Sequence, residues 1–199
     1  MYSLIQKPAP DFNAEAVMAN GEFSKISLSS FKDKKYVCLF FYPLDFTFVC
    51  PSEIISFSHR AKDFEARQTQ ILGVSVDSKF SHYAWRQTPV DNGGIGAIEF
   101  PLISDITKEI ARDYGVLVED AVALRGTFLI DMAGVVRHAT LNDLPLGRNV
   151  DETLRMIDAL QHTEKYGEVC PAGWRKGDTA MKANTAGVAS YLKENAANL

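Results

Sequence analysis

The sequence predicts an α/β fold with a central mixed β-sheet flanked by helices, followed by a carboxy-terminal arm. Residues 36–42 form a continuous β-branched and aromatic run, which suits a strand buried on both faces, and residues 70–77 predict a second buried strand. Each run precedes a segment of helical periodicity, which gives βαβα ordering. Residues 125–131 and 135–141 then predict a hairpin around the turn at Gly134.

The helices follow from apolar spacing and capping residues. Ser78 caps the helix after the second strand, and Asn149 with Glu152 resembles a capping pair for a later helix. Segments 9–12 and 23–28 are predicted to be extended. Apolar residues mark one face of the first helix (Ile54, Phe57, Ala61, Phe64) and of a helix ending near Gly115 (Ile106, Ile110, Tyr114).

Length and composition indicate one domain with an appended arm. The 199 residues are 46% hydrophobic, enough for a sizeable core, and the character of the chain changes after Gln161. We therefore predict a domain at 1–161 and an arm at 162–199.

Charge and hydropathy narrow the possible partners and compartments. The net charge of −4 argues against binding to nucleic acid, and no apolar run is long enough to cross a membrane. We see no secretory signal, and three cysteines do not suit a disulfide framework, so we expect a cytoplasmic protein.

Cys50 is the candidate nucleophile because it lies at a strand-loop-helix junction. Pro51 is well placed as the first helical residue, which puts Cys50 at the cap, where backbone N–H groups and the helix dipole favour a thiolate. That effect alone is too small for an efficient enzyme, so further donors are needed, and Thr47 and a remote arginine are candidates. Cys38, inside an apolar strand, is interpreted as an inert core residue.

Two segments together resemble one family closely. Pro43-x-x-x-Thr47-x-x-Cys50 followed by Pro51 is similar to the active-site motif of peroxiredoxins. The segment 167–171, Gly-Glu-Val-Cys-Pro, resembles the resolving-cysteine segment of the typical two-cysteine subgroup, which includes bacterial alkyl hydroperoxide reductase C-type proteins. The resemblance covers nearly the whole chain and implies a thioredoxin-like fold.

The resemblance implies roles for individual residues. Cys50 corresponds to the peroxidatic cysteine, whose thiolate attacks the peroxide bond to give a sulfenic acid. Thr47 corresponds to a hydrogen-bond donor to the thiolate and peroxide, Pro43 to a shield against water, and Arg125 to a group that polarises the transition state. Two supporting positions also match: Glu53, which orients this arginine, and Arg148, a second arginine near the site.

The resemblance also implies partners. Cys170 of the partner subunit condenses with the Cys50 sulfenic acid in an antiparallel homodimer, after local unfolding of the Cys50 turn, and such dimers often form ring-shaped decamers. The substrates are hydroperoxides, the electron donor is thioredoxin or a dedicated flavoprotein disulfide reductase, and no cofactor is expected. The sequence leaves open which electron donor and which peroxide are used.

One motif bears on sensitivity to overoxidation. Gly93–Gly96 resembles a glycine motif of family members that overoxidation inactivates easily, but Leu192 after Tyr191 departs from the Tyr-Phe pair of those members.

Other readings are less favoured by the residues. A disulfide exchanger prefers a Cys-x-x-Cys motif that this sequence lacks, and no closely spaced Cys or His pair suggests zinc. A cysteine hydrolase needs a histidine beside Cys50, but each histidine is expected on the surface or on a helix face (His59, His82, His138, His162). A chaperone-like ring built from the same dimers is the non-enzymatic alternative.

Overall fold

The computed structural model describes residues 3–198. The expectation that the chain has no secretory signal rests partly on Met1 and Tyr2, which lie outside this range. The strands are β1 Asn13–Val17, β2 Phe23–Ser27, β3 Tyr36–Phe41, β4 Thr69–Ser75, β5 Leu102–Ser104, β6 Leu117–Val118, β7 Val122–Ala123, β8 Arg125–Ile130 and β9 Val136–Asn142. The α-helices are α1 Cys50–His59, α2 Ala61–Glu65, α3 Lys79–Gln87, α4 Glu109–Asp113, α5 Val150–Tyr166 and α6 Thr185–Asn195.

Seven strands form one sheet in the order β2-β1-β5-β4-β3-β8-β9. The β3–β4 and β4–β5 pairs are parallel and the others are antiparallel, which confirms the predicted mixed sheet. Phe40 lies opposite Thr127 in the antiparallel β3–β8 pair. Arg125 therefore lies beside the point where the chain leaves β3 and runs toward Cys50.

Aromatic packing fixes the first helix on the sheet. The rings of Phe40 in β3 and Phe57 in α1 stack with centroids 4.4 Å apart and an interplanar angle of 7°. Phe64 is also fully buried, as its spacing predicted. The predicted single helix is in fact two, because Arg60, with φ −100° and ψ 7°, interrupts it between α1 and α2.

The predicted helix face that began at Ile106 is wrong at its start. Ile106 is 64% exposed and precedes the helix, since α4 begins only at Glu109. Lys108 adopts a left-handed φ of 62°, and the Asp105 carboxylate accepts the N–H groups of Ile110 (3.1 Å) and Ala111 (2.7 Å). The cap at Asp105 therefore sets where this helix begins.

The first strand was also predicted too early. Segment 9–12 is not part of a strand, and β1 starts immediately after it, at Asn13. The chain just before it runs instead along the start of β9: Pro8 forms an isolated antiparallel bridge with Val135, and the Ala9 N–H donates to the carbonyl oxygen of Gly134 at 2.9 Å.

The chain divides into two compact units, one ending at Val150 and the other starting at Asp151. In the second unit, an isolated antiparallel bridge joins Val169 to Met181, and Trp174 is buried. The predicted boundary after Gln161 stays a prediction.

Candidate active site

Cys50 is fully buried and is the first residue of α1. The helix thus starts one residue earlier than predicted, because Val49 already has helical angles (φ −84°, ψ −36°). The Val49 carbonyl accepts the N–H groups of Ser52 (3.1 Å) and Glu53 (3.4 Å). These amides are bonded within the helix, and the donors that reach the sulfur are side chains.

The Thr47 hydroxyl is the nearer of these donors. Its oxygen lies 2.9 Å from the Sγ of Cys50 and 2.8 Å from the carbonyl oxygen of Leu44. A hydroxyl has one proton, so it cannot donate to both at once. Beside a thiol, the S–H group can donate to Thr47 while Thr47 donates to Leu44; beside a thiolate, Thr47 donates to the sulfur. The same geometry accommodates both protonation states.

The Arg125 guanidinium reaches the sulfur from β8. Its Nη1 lies 3.3 Å from the Sγ of Cys50 and donates to Glu53 Oε2 at 2.7 Å. Its Nε donates to the carbonyl oxygen of Leu144 at 2.6 Å. Because the β8–β9 hairpin brings Leu144 back to this end of the sheet, Arg125 is held on two sides and aimed at the sulfur.

Glu53 joins both arginines. Arg148 donates to its carboxylate through the backbone N–H (2.9 Å), Nε (2.8 Å) and Nη2 (2.9 Å). Burial by itself raises the pKa of the Glu53 carboxyl. The hydrogen bonds and charge of Arg148, together with the charge of Arg125, outweigh burial and hold that pKa below its ordinary value. Glu53 therefore remains an anion that fixes both guanidinium groups.

Arg148 supports the site through Glu53 and through backbone carbonyl groups. Its Nη1 donates to the carbonyl oxygens of Phe41 (2.8 Å) and Gly126 (2.9 Å), and its guanidinium carbon lies 5.1 Å from the centroid of the Phe40 ring. It thereby joins the end of β3 to the start of β8.

The buried charges do not balance without the sulfur. The side chains of Arg125, Arg148 and Glu53 are at most 4% exposed, so two cations meet one carboxylate. Uncompensated buried charge is costly. The Nη1 of Arg125 lies 3.3 Å from the Cys50 Sγ, so the excess positive charge of this cluster faces the sulfur.

The other two cysteines lie in different surroundings. Cys38 is fully buried in β3, which confirms its predicted place in the core, and burial raises the pKa of its thiol to about 12. Cys170, in the second unit, is partly exposed, with its Sγ 3.6 Å from the carbonyl oxygen of Ala159 and 3.8 Å from the Thr163 hydroxyl.

Sequence reasoning missed a polar network beside the loop. His82 lies on α3, but it is fully buried, and its Nδ1 is 2.8 Å from the carboxylate of Asp45. The sequence offered one indirect sign of this network: His82 lies three residues before Trp85 on the predicted helix, and Trp85 is fully buried in the structure. Pro43 is buried at the start of the same loop, and its shielding role stays a prediction.

Within residues 3–198, no group of three or more His, Cys, Asp or Glu side chains is arranged to hold a metal ion. No helix in that range is long and apolar enough to span a bilayer.

Comparison with known proteins gives consistent matches. The model of the AhpC/TSA family matches residues 5–139, and that of the C-terminal domain of 1-Cys peroxiredoxin matches residues 159–194. Alkyl hydroperoxide reductase C of Helicobacter pylori (strain J99) is 59% identical over 98% of this chain and 100% of its own length. Peroxiredoxin-2 of Macaca fascicularis is 53% identical over 96% of both chains. The crystal structure of reduced 2-Cys peroxiredoxin from Plasmodium vivax, 54% identical, matches with a TM-score of 0.96 over 96% of this chain and 100% of that one.

Proposed function

Since this chain belongs to the AhpC/TSA family and is a peroxiredoxin, a thiol-dependent peroxidase, we propose that Cys50 is the residue that hydroperoxides oxidise. One observation carries the proposal: the Thr47 hydroxyl and the Arg125 guanidinium converge on the Cys50 sulfur, at 2.9 and 3.3 Å. Donors placed this way act on charge that develops near the sulfur.

In the proposed reaction, the Cys50 thiolate attacks the terminal oxygen of the hydroperoxide. An S–O bond forms as the O–O bond breaks, so the sulfur is oxidised to a sulfenic acid and an alkoxide or hydroxide leaves. The leaving oxygen takes a proton from solvent and becomes an alcohol or water. Arg125 donates to the oxygens of the breaking bond, and Thr47 donates to the sulfur and the incoming peroxide. Pro43 shields the site from water.

Cys170 of the partner subunit then attacks the sulfenic acid, which forms a disulfide and releases water. Strand β9 supports a homodimer, because in the described chain it is an edge strand whose one strand partner is β8; its first residue, Val136, also exchanges backbone hydrogen bonds with Gln6 and Lys7. Exposed aromatic side chains supply a surface for assembly of dimers into a decamer: Phe23, Phe80 and Tyr83. A dithiol reductant, thioredoxin or a dedicated flavoprotein, cleaves the disulfide and supplies two electrons.

We place this cycle in the cytoplasm. All three cysteines are free, and a reducing compartment keeps them so between turnovers. Both hydrogen peroxide and organic hydroperoxides fit the chemistry of the site.

The test is peroxide treatment followed by a non-reducing gel. We expect a disulfide-linked dimer band in the wild type, and its loss in both Cys50→Ser and Cys170→Ser. Cys38→Ser is the matched control and should keep the band. A dimer band that survives Cys170→Ser would show that the resolving cysteine is misassigned.

A further inference from the structure

Asp45 is the anchored residue of the loop between β3 and α1. Its side chain is 1% exposed, although neighbouring Phe46 is 55% exposed. The Tyr42 hydroxyl donates to Asp45 Oδ1 at 2.8 Å, and Asp45 Oδ2 lies 2.8 Å from Nδ1 of His82. The Asp45 backbone N–H donates to Asp77 Oδ2 at 2.9 Å. Side chains from α3 and from the segments just after β3 and β4 thus hold one loop residue.

His82 is held through both nitrogens of its ring. Its Nε2 lies 3.2 Å from the carbonyl oxygen of Ile103, which only accepts, so Nε2 is the donor of that hydrogen bond. Its Nδ1 lies 2.8 Å from Asp45 Oδ2 and 3.3 Å from the Tyr42 hydroxyl. Burial and the charge of Asp45 raise the pKa of Tyr42, so its hydroxyl keeps its proton and donates.

Asp45 directly follows Leu44, whose carbonyl group contacts the Thr47 hydroxyl. The carbonyl oxygen of Leu44 lies 2.8 Å from the Thr47 hydroxyl oxygen; it accepts the hydroxyl proton beside a thiol, and that proton turns to the sulfur, 2.9 Å away, beside a thiolate. Beyond Asp45 the loop has fewer contacts: Phe46, with a left-handed φ of 54°, places its ring 5.7 Å from that of Trp85, and Phe48 is 97% exposed. The position of Thr47 therefore depends on Asp45.

We propose that His82 is a positioning residue that acts through Asp45 to hold the Thr47 hydroxyl against Cys50. The inference rests on the proposed role of Cys50. In this proposal His82 does not contact the substrate. Replacing His82 should therefore lower the rate of Cys50 oxidation only when residue 47 carries a hydroxyl.

A double-mutant cycle between His82→Leu and Thr47→Val tests this, with single-turnover peroxide loss as the readout. We expect His82→Leu to slow oxidation by between about 10-fold and 100-fold, as for misplacement of a reacting group. In the Thr47→Val background, the same substitution should have little further effect. An equal loss in both backgrounds would mean that His82 is merely structural and would overturn the proposal.

Two further variants make the outcome decisive. If His82→Leu does not fold, His82→Gln, which keeps a donor for the Ile103 carbonyl, takes its place in the cycle. Asp105→Ala is the control for stability: it removes the buried carboxylate that caps α4 and should lower the free energy of unfolding without slowing Cys50 oxidation.

Two outcomes separate the proposed function from this inference. If Cys50→Ser still consumes peroxide, the proposed function itself fails. If only the coupling between His82 and Thr47 is missing, this inference alone fails.

Discussion

The Nη1 of Arg125 lies 3.3 Å from the Sγ of Cys50, although 75 positions separate the two residues in the chain. Glu53, one turn further along α1, binds the same nitrogen at 2.7 Å. The helix that begins with the nucleophile therefore also carries the carboxylate that aims the guanidinium at it.

Arg125→Met should slow oxidation of Cys50 by about 100-fold or more, the usual loss for one transition-state donor. Arg125→Lys should restore little, because an ammonium cannot reach Glu53, the Leu144 carbonyl and the sulfur in the same fork geometry. Single-turnover peroxide loss measures both variants. The matched control is Arg86→Lys: Arg86 is also buried and bonded to carbonyl oxygens, but it is remote from the sulfur. A wild-type rate in Arg125→Met would remove this residue from the mechanism.

Thr47→Val and Thr47→Ser separate the hydroxyl from the shape of the side chain. Valine keeps the volume but has no donor, so we expect a loss of about 100-fold in the rate of Cys50 oxidation. Serine keeps the donor and should retain most of the rate. Equal rates in the two variants, measured in the same single-turnover assay, would show that the 2.9 Å contact contributes nothing.

Glu53 should make stability fall in acid. Its folded-state pKa lies below the ordinary value of about 4.3, so its contribution is complete above that pH and is lost as the pH falls through the folded pKa. The free energy of unfolding, measured in urea at several pH values, should fall more steeply below about pH 4.3 in the wild type than in Glu53→Gln. Glu65→Gln, on an exposed side chain of α2, should keep the wild-type slope. Identical slopes in all three proteins would contradict the buried ion cluster.

The cysteines should differ in how they become accessible. Because burial raises the pKa of Cys38 to about 12, it should resist alkylation at about pH 8 until the whole domain unfolds. Cys50 is equally buried, but it adjoins the exposed loop residue Phe48, so local opening should suffice. Labelling across a urea series, with peptides mapped by mass spectrometry, checks this. Labelling of Cys38 as fast as Cys170 without urea would argue against it.

The sequence predicts the local part of the site well and the long-range part only by resemblance. Thr47 lies three residues before Cys50, on the loop that leads into α1, so their contact follows from local structure. The predicted mixed sheet and thioredoxin-like α/β fold are confirmed. The approach of Arg125 depends on the β3–β8 register, which no local pattern specifies.

Other features were set by tertiary contacts. The start of α1 moved by one residue because Val49 adopts helical angles, and α4 begins where the Asp105 carboxylate caps it. His82 was predicted for a surface or helix face, because a lone histidine carries no sign of its buried partner Asp45, 37 positions away. Polar pairs between distant segments become visible only when the fold brings them together.

The most direct test of the central claim is to oxidise Cys170→Ser with one equivalent of hydrogen peroxide, trap sulfenic acid chemically and locate the adduct by peptide mass spectrometry. We predict consumption of about one equivalent per subunit, an adduct on Cys50 alone and no turnover with a dithiol reductant such as thioredoxin. An unmodified Cys50, with the adduct on Cys38 or with no peroxide consumed, would contradict the account.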